Sequence, residues 1–121
     1  MAQNSNVEKL LPLTPLWFQI LLALVDKSSH GYAIIKAMEE RTGSSITTAT
    51  APVYLALRRL RDLGFIADAG TDGSRKLHRI TPFGRRVVRA EAARIVGTMG
   101  TLLDLDLVDK KQLAQLMRTR S

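Results

Sequence analysis

No cysteine occurs in the 121 residues, so disulfides and thiolate metal sites are excluded and a reducing compartment is permitted. The two histidines, His30 and His78, fall in different predicted elements, and neither has a carboxylate partner visible in the sequence. No metal-ligand spacing, nucleophile–base pair or phosphate-binding loop is present either, so no enzyme, metal site or cofactor is expected. Long apolar runs are also missing. The longest, Leu16 to Val25, spans ten residues and is interrupted by Gln19, about half of the ~20 residues needed to cross a bilayer. Met1 to Leu13 lacks the basic start of a secretory leader. Aromatics make up only 5%, and the basic residues lack the interleaved exposed aromatics of a membrane-surface helix. No internal repeat or low-complexity segment is found. The expectation is a soluble cytoplasmic protein without a membrane partner.

What the chain does have is positive charge, unevenly spread. Its net charge is +7. Residues 1–57 are neutral, with four basic and four acidic side chains, whereas residues 58–94 carry ten basic against four acidic. Nine of those ten are arginine, the side chain best matched to phosphate and to guanine edges. A polyanion is the expected partner, and a merely solvated surface is the duller alternative.

Local signals place four helices and a hairpin in order. Thr14-Pro15 reads as a cap and first turn, followed by a helix apolar nearly all round and so expected to be buried on most sides. A second helix follows Ser28 or Ser29 as cap, with His30 as another capping candidate, and ends at Gly43. The third runs from Ala51 to Leu63 with Thr50 as cap, and Gly64 stops it. Two short extended runs, Phe65–Ala67 and Lys76–Thr81, flank Thr71-Asp72-Gly73-Ser74, a hairpin turn signal. Thr81-Pro82 starts a long helix in which Val88, Ala92, Ile95, Met99 and Leu102 follow alternating spacings of four and three, the seam of a short coiled coil. Asp109 and Gln112 form a capping-box pattern before a short last helix.

Three helices followed by a two-stranded hairpin is the order of a winged helix-turn-helix, which predicts a mainly α fold with a small β-hairpin (α+β) and a long carboxy-terminal dimerisation helix. The expected organisation is a flexible arm over 1–12, the DNA-binding domain over 13–81, and the dimerisation helix with a short tail over 82–121. In such a fold the third helix enters the major groove. Thr48, Thr50, Tyr54, Arg58 and Arg59 are the candidate contacts there, with Arg61 on the same helix. Ser74, Arg75 and Lys76 are the candidates at the wing. Each has a duller role: exposed arginines face solvent, Tyr54 covers core, and Arg75 with Lys76 protects a hairpin edge from pairing. Their convergence on one architecture favours double-stranded DNA, with a homodimer implying an inverted-repeat operator. The alternative is a winged-helix module that docks a protein or binds DNA for a non-promoter role.

Three stretches also carry a family resemblance: LTPLWFQILLALVDKSSHGYAIIKAMEERTG with its His30-Gly31-Tyr32 step, PVYLALRRLRDLGFI, and RKLHRITPFG. Together, over roughly Leu13 to Arg94, they resemble the PadR family of transcriptional regulators, in particular its short members with a single carboxy-terminal helix. The resemblance implies a homodimeric repressor released from its operator by a small aromatic ligand. Trp17, Phe18, Met99 and Leu102 are the candidate lining of a ligand pocket at the dimer interface, ordinary core being their other use. Two departures stand out. His78 replaces the family's more usual tyrosine, implying altered wing packing or pH sensitivity, and Leu55 stands where proline commonly follows the tyrosine.

Overall fold

The described residues in the computed structural model are 7–43 and 49–120. The first helix, α1 (Pro15–Ala23), starts as its local chemistry dictates: the Thr14 hydroxyl accepts from the Trp17 N–H at 3.2 Å, and Pro15 occupies the first turn, where no N–H is needed. Ile20, Leu21 and the following Leu24 are fully buried, each contributing about 1.5–3 kcal/mol. Leu16, Trp17, Phe18 and Leu22 are only half-buried against that core. The helix is therefore less enclosed than its all-round apolar character predicts.

Ser29 is not a cap. It belongs with His30 to a two-residue strand, β1 (Ser29–His30), which leaves His30 to cap α2 (Gly31–Thr42) by accepting from the Ala33 N–H at its Nδ1, 3.2 Å away. Thr50 is not a cap either. The third helix, α3 (Thr50–Asp62), begins on it, with Ala49 in the capping position and no side-chain cap bond. Pro52 then occupies the third helical position, still among the N–H groups that have no helical partner. Val53, Ala56, Leu57 and Leu60 bury one face. Gly64, at φ +80°, ends the helix, and the Phe65 N–H returns to the Leu60 carbonyl at 2.9 Å.

The hairpin pairs β2 (Ile66–Asp72) with β3 (Arg75–Ile80) around a two-residue loop, Gly73-Ser74, with Gly73 at φ +64°. Glycine in that first loop position matches the hand of the strands' twist. The strands run further toward the tip than the sequence predicts, because Thr71 and Asp72 pair with Lys76 and Arg75. A bulge between Asp68 and Thr71 places one extra residue in β2. β1 adds a third antiparallel strand on the other side of β3, in the order β1-β3-β2, with Ser29 opposite His78 and His30 opposite Leu77.

At the base of the hairpin, the Thr81 hydroxyl donates to the Gly64 carbonyl at 2.6 Å and accepts from the Gly84 N–H at 2.9 Å. This one side chain joins the end of α3 to the start of α4 (Pro82–Asp104). The chain forms two compact units, one up to Glu91 and one from Ala92. In the first, Val87 and Val88 enter the core, and so does Val7, from the stretch expected to be a loose arm. The buried Glu91 carboxylate accepts from the Leu13 N–H at 2.6 Å. Arg85, counted in the basic surplus, donates to the Val25 carbonyl at 2.6 Å and is structural. In the second unit, Asp109 caps α5 (Lys110–Thr119) by accepting from the N–H groups of Lys111 and Gln112. The predicted short tail is thus mostly helix. Along the predicted seam, Met99 and Leu102 are half-buried and Ile95 is exposed.

Candidate nucleic-acid interface

Helical periodicity puts Thr50, Tyr54, Arg58 and Arg61 on one stripe of α3, and Tyr54 and Arg58 are exposed along it. Across from them stands the tip of the hairpin. Tyr54, Arg58, Arg61, Ser74, Arg75 and Lys76 together line a cleft of about 530 Å³ whose lining contains no carboxylate. Five of the sequence-predicted contacts therefore converge on one cationic surface. Thr50 and Arg59 are exposed on α3 but do not line this cleft. Arg59 is turned about 100° from Arg58 around the helix axis. Thr48 lies outside the described residues.

Leu57 and His78 also line the cleft, and three further residues come from the His30-Gly31-Tyr32 step. Gly31 is its closest point of packing: a Cβ there would sit 2.5 Å from the Tyr54 hydroxyl oxygen. Only glycine lets the Tyr54 ring settle against the start of α2. Tyr32 is 55% exposed. The Arg75 guanidinium lies 5.8 Å from its ring centroid and the Lys36 ammonium 5.6 Å, both within cation–π range. His30 stacks beside it at 6.5 Å. In the neutral ring, His30 uses its Nδ1 lone pair for the cap, so Nε2 bears the hydrogen. Nε2 then cannot accept from Arg75 Nη1, 3.3 Å away. The face of Tyr32 is the better partner for Arg75, and it holds a cation weakly.

Arg61 departs from expectation. It is not an outward arm: its Nη2 donates to His78 Nδ1 at 2.8 Å, and its Nε lies 3.4 Å from Asp68 Oδ1. Lys76 shares that carboxylate oxygen at 3.3 Å. His78 is only 5% exposed. Burial, reinforced by Arg61 and Lys76 and opposed by Asp68, pushes the pKa of its imidazole below the usual 6.5. Since a guanidinium only donates, Nδ1 must accept, and His78 is the neutral tautomer with hydrogen on Nε2. The sequence marked His78 as a departure but gave no sign that Arg61 reaches it.

One substitution tests this packing. Gly31→Ala pushes the Tyr54 ring outward, and because only the end of that exposed side chain is displaced, the fold survives. DNA affinity is expected to fall by about 1–2 kcal/mol, a five- to thirtyfold loss, measured by fluorescence anisotropy. Unchanged affinity in a folded variant removes Tyr54 from the contact set.

Of the candidate pocket residues, Met99 lines a groove of about 540 Å³ in the second unit with Val108, Leu113 and Leu116. Leu102 is half-buried in that unit, and Trp17 and Phe18 are half-buried on α1 in the first. Among the described residues no cluster of potential metal ligands occurs, and no helix is long and apolar enough to cross a membrane.

Solved structures resemble this chain closely in fold. A PadR family transcription regulator from hypervirulent Clostridium difficile R20291 superposes with a TM-score of 0.66 at 20% identity, covering 76% of this chain and 98% of that one. A transcriptional regulator from Clostridium thermocellum gives 0.64 at 22% identity, covering 83% and 93%. Bacillus subtilis PadR, solved in complex with operator DNA, gives 0.58 at 26% identity over 64% of this chain and 46% of that one. No curated protein matches in sequence. The sequence pattern of the Transcriptional regulator PadR-like family matches residues 20–90, from the core of α1 through the wing into α4. With more than half its length matched, the chain belongs to the PadR-like family of DNA-binding transcriptional regulators, which are not enzymes.

Proposed function

We propose that the protein is a homodimeric, cytoplasmic repressor that reads an inverted-repeat operator and releases it on binding a small aromatic effector. The observation that carries this reading is the cleft between α3 and the wing, where Arg58, Arg75 and Lys76 stand beside Tyr54 with no carboxylate in the lining. Phosphate contacts from the wing supply affinity, while Tyr54 and Arg58 of the cleft contact the bases, with Thr50 and Arg59 beside them on α3. The operator complex of Bacillus subtilis PadR supports DNA as the partner.

A second copy of the chain is supported by the second unit, where Val96, Leu105, Leu107 and Met117 are 63–70% exposed and α5 buries none of its residues. Apolar surface of this kind marks an association site. In a dimer two α3 helices meet successive major grooves about 34 Å apart. The groove beside Met99 has the volume of a small-ligand site, and Leu102 of the same unit adds apolar surface for an aromatic effector, while Trp17 and Phe18 pack on the core of the first unit.

Fluorescence anisotropy against the duplex upstream of the protein's own gene, with an unrelated duplex as control, tests the reading over a salt series. Preference for the upstream duplex is expected to persist at physiological salt, and a phenolic effector to abolish it. Equal, salt-sensitive binding to both duplexes contradicts sequence reading at that site. No binding to either at low salt favours a protein-docking winged helix.

A further inference from the structure

Arg61 shares a helical stripe with Thr50, Tyr54 and Arg58 and lines the cleft, yet its guanidinium is engaged by the hairpin. It bonds His78 on β3 at 2.8 Å and contacts Asp68 on β2 at 3.4 Å. One side chain thus ties α3 to both strands of the wing. His78 sits on the central strand, opposite Ser29 of β1 on one side and Asp68 of β2 on the other. The Arg61 N–H facing Nδ1 allows one placement of the ring hydrogen, because a second donor there would leave a polar atom unpaired at about 1–3 kcal/mol.

We propose that His78 is a positioning residue: by accepting from Arg61 it fixes the wing at one angle to α3, and so governs which DNA sequences are preferred more than how strongly DNA is held. The proposal deepens the DNA-reading assignment and rests on it for its DNA measurements. Its first test needs no DNA.

Protonation breaks the lock. A hydrogen on Nδ1 turns the acceptor into a donor facing the Arg61 N–H. The charged groups around the ring are then Arg61 from α3 and Lys76 from β3 against the single carboxylate of Asp68 on β2. β1 contributes the uncharged Ser29 opposite the ring, and its other residue, His30, lines the same cleft. Three cations against one carboxylate separate, and Arg61 is released into the cleft to join the phosphate-binding groups. The neutral ring is favoured in the folded protein, so the lock holds above pH 6.5 and is lost as the pH falls through the ring's own, lowered pKa. Acidification should therefore lower discrimination and steepen the salt dependence together.

Nitrogen NMR of the imidazoles in the free protein is the first arm. It should show His78 with hydrogen on Nε2 at pH 7.5, and a hydrogen on Nδ1 at this tautomer's expense overturns the proposal. In the second arm, wild type, His78→Gln and His78→Leu are titrated with the upstream and unrelated duplexes at pH 7.5 and at a lower pH, chosen as one at which the imidazole NMR shows His78 protonated. The wild-type preference ratio should fall about tenfold at the lower pH, with the salt slope steeper by about 0.9, one phosphate contact. His78→Gln, whose amide oxygen accepts but does not titrate, should keep the wild-type ratio at both values. His78→Leu should show the low ratio at both. A glutamine variant that loses preference on acidification assigns the effect elsewhere, to His30 for instance, and sinks the proposal, as does a wild-type ratio that ignores pH. A wild type that prefers neither duplex defeats the repressor reading, and the tautomer then decides the lock alone.

Discussion

Replacing Arg75 and Lys76 together by alanine is expected to lower affinity for every duplex by about a hundredfold and to flatten the log–log salt slope by about 1.8, two phosphate contacts. Both side chains flank the two-residue tip loop and line the cleft. Neither holds the fold. Arg75 rests on the exposed face of Tyr32, and Lys76 makes a surface ion pair with Asp68, a class of contact worth about 0–1 kcal/mol. The melting temperature should therefore stay nearly constant while binding collapses. The two residues should also contribute unequally. Lys76 must leave Asp68 to reach a phosphate, so Arg75→Ala alone is expected to account for the larger share. Preference between duplexes should survive, because the groups assigned to base edges lie on α3 and the Arg61–His78 bond that sets the angle of the wing is left in place. A salt slope equal to wild type would remove the wing from the contact set.

The second large effect concerns folding. Gly84→Ala is expected to destabilise the protein by about 3 kcal/mol, the upper part of the range for overpacking, and to lower its melting temperature by roughly 10–20 °C. Helix propensity alone gives the opposite sign, since alanine is favoured over glycine by about 1 kcal/mol within a helix. The structure decides between them. A Cβ on Gly84 would overlap the Phe65 carbonyl oxygen and lie 2.9 Å from Ile80 Cγ1. The Phe65 carbonyl is itself held, accepting from the Thr81 N–H at 3.0 Å, and cannot yield without breaking the junction of α3, β2 and α4. Gly97 and Gly100, further along α4, have nothing within 4 Å of the corresponding position. In an isolated subunit alanine there should stabilise, so the three glycines separate under thermal denaturation. A Gly84→Ala protein as stable as wild type would refute the close packing at this junction.

What the sequence made legible is local. Thr14-Pro15, Gly64, Asp72-Gly73, Thr81-Pro82 and Asp109 each act on backbone groups a few residues away, so their roles follow from type and spacing. The order of the elements, and from it the α+β winged-helix fold, followed from these signals. β1 was illegible because two residues have no period, and their pairing depends on β3, distant in sequence. That missed strand explains the misplaced cap: Ser29 was assigned to the helix because its strand partner could not be seen. Periodicity likewise placed Arg61 on the correct face of α3 but could not say where the end of so long a side chain goes. The place of Gly31 against Tyr54 is a contact between two helices, which spacing within either one does not reveal. The His30-Gly31-Tyr32 step was noticed as a motif, and its mechanics appear only in three dimensions.

His30 serves two elements at once, as the cap of α2 and as the β1 residue paired with Leu77 on β3. Fraying the first turn of α2 therefore removes an edge strand from the wing, and peeling β1 from β3 leaves that helix uncapped. The two losses share one opening event. The first turn of α2 and the inner half of the hairpin are therefore expected to open as a single cooperative unit, their backbone amides exchanging with solvent together. Beyond the bulge at Asp68–Thr71 the tip is expected to open on its own, so the part of the wing proposed to meet nucleic acid should adjust its shape without loosening the helix it leans on.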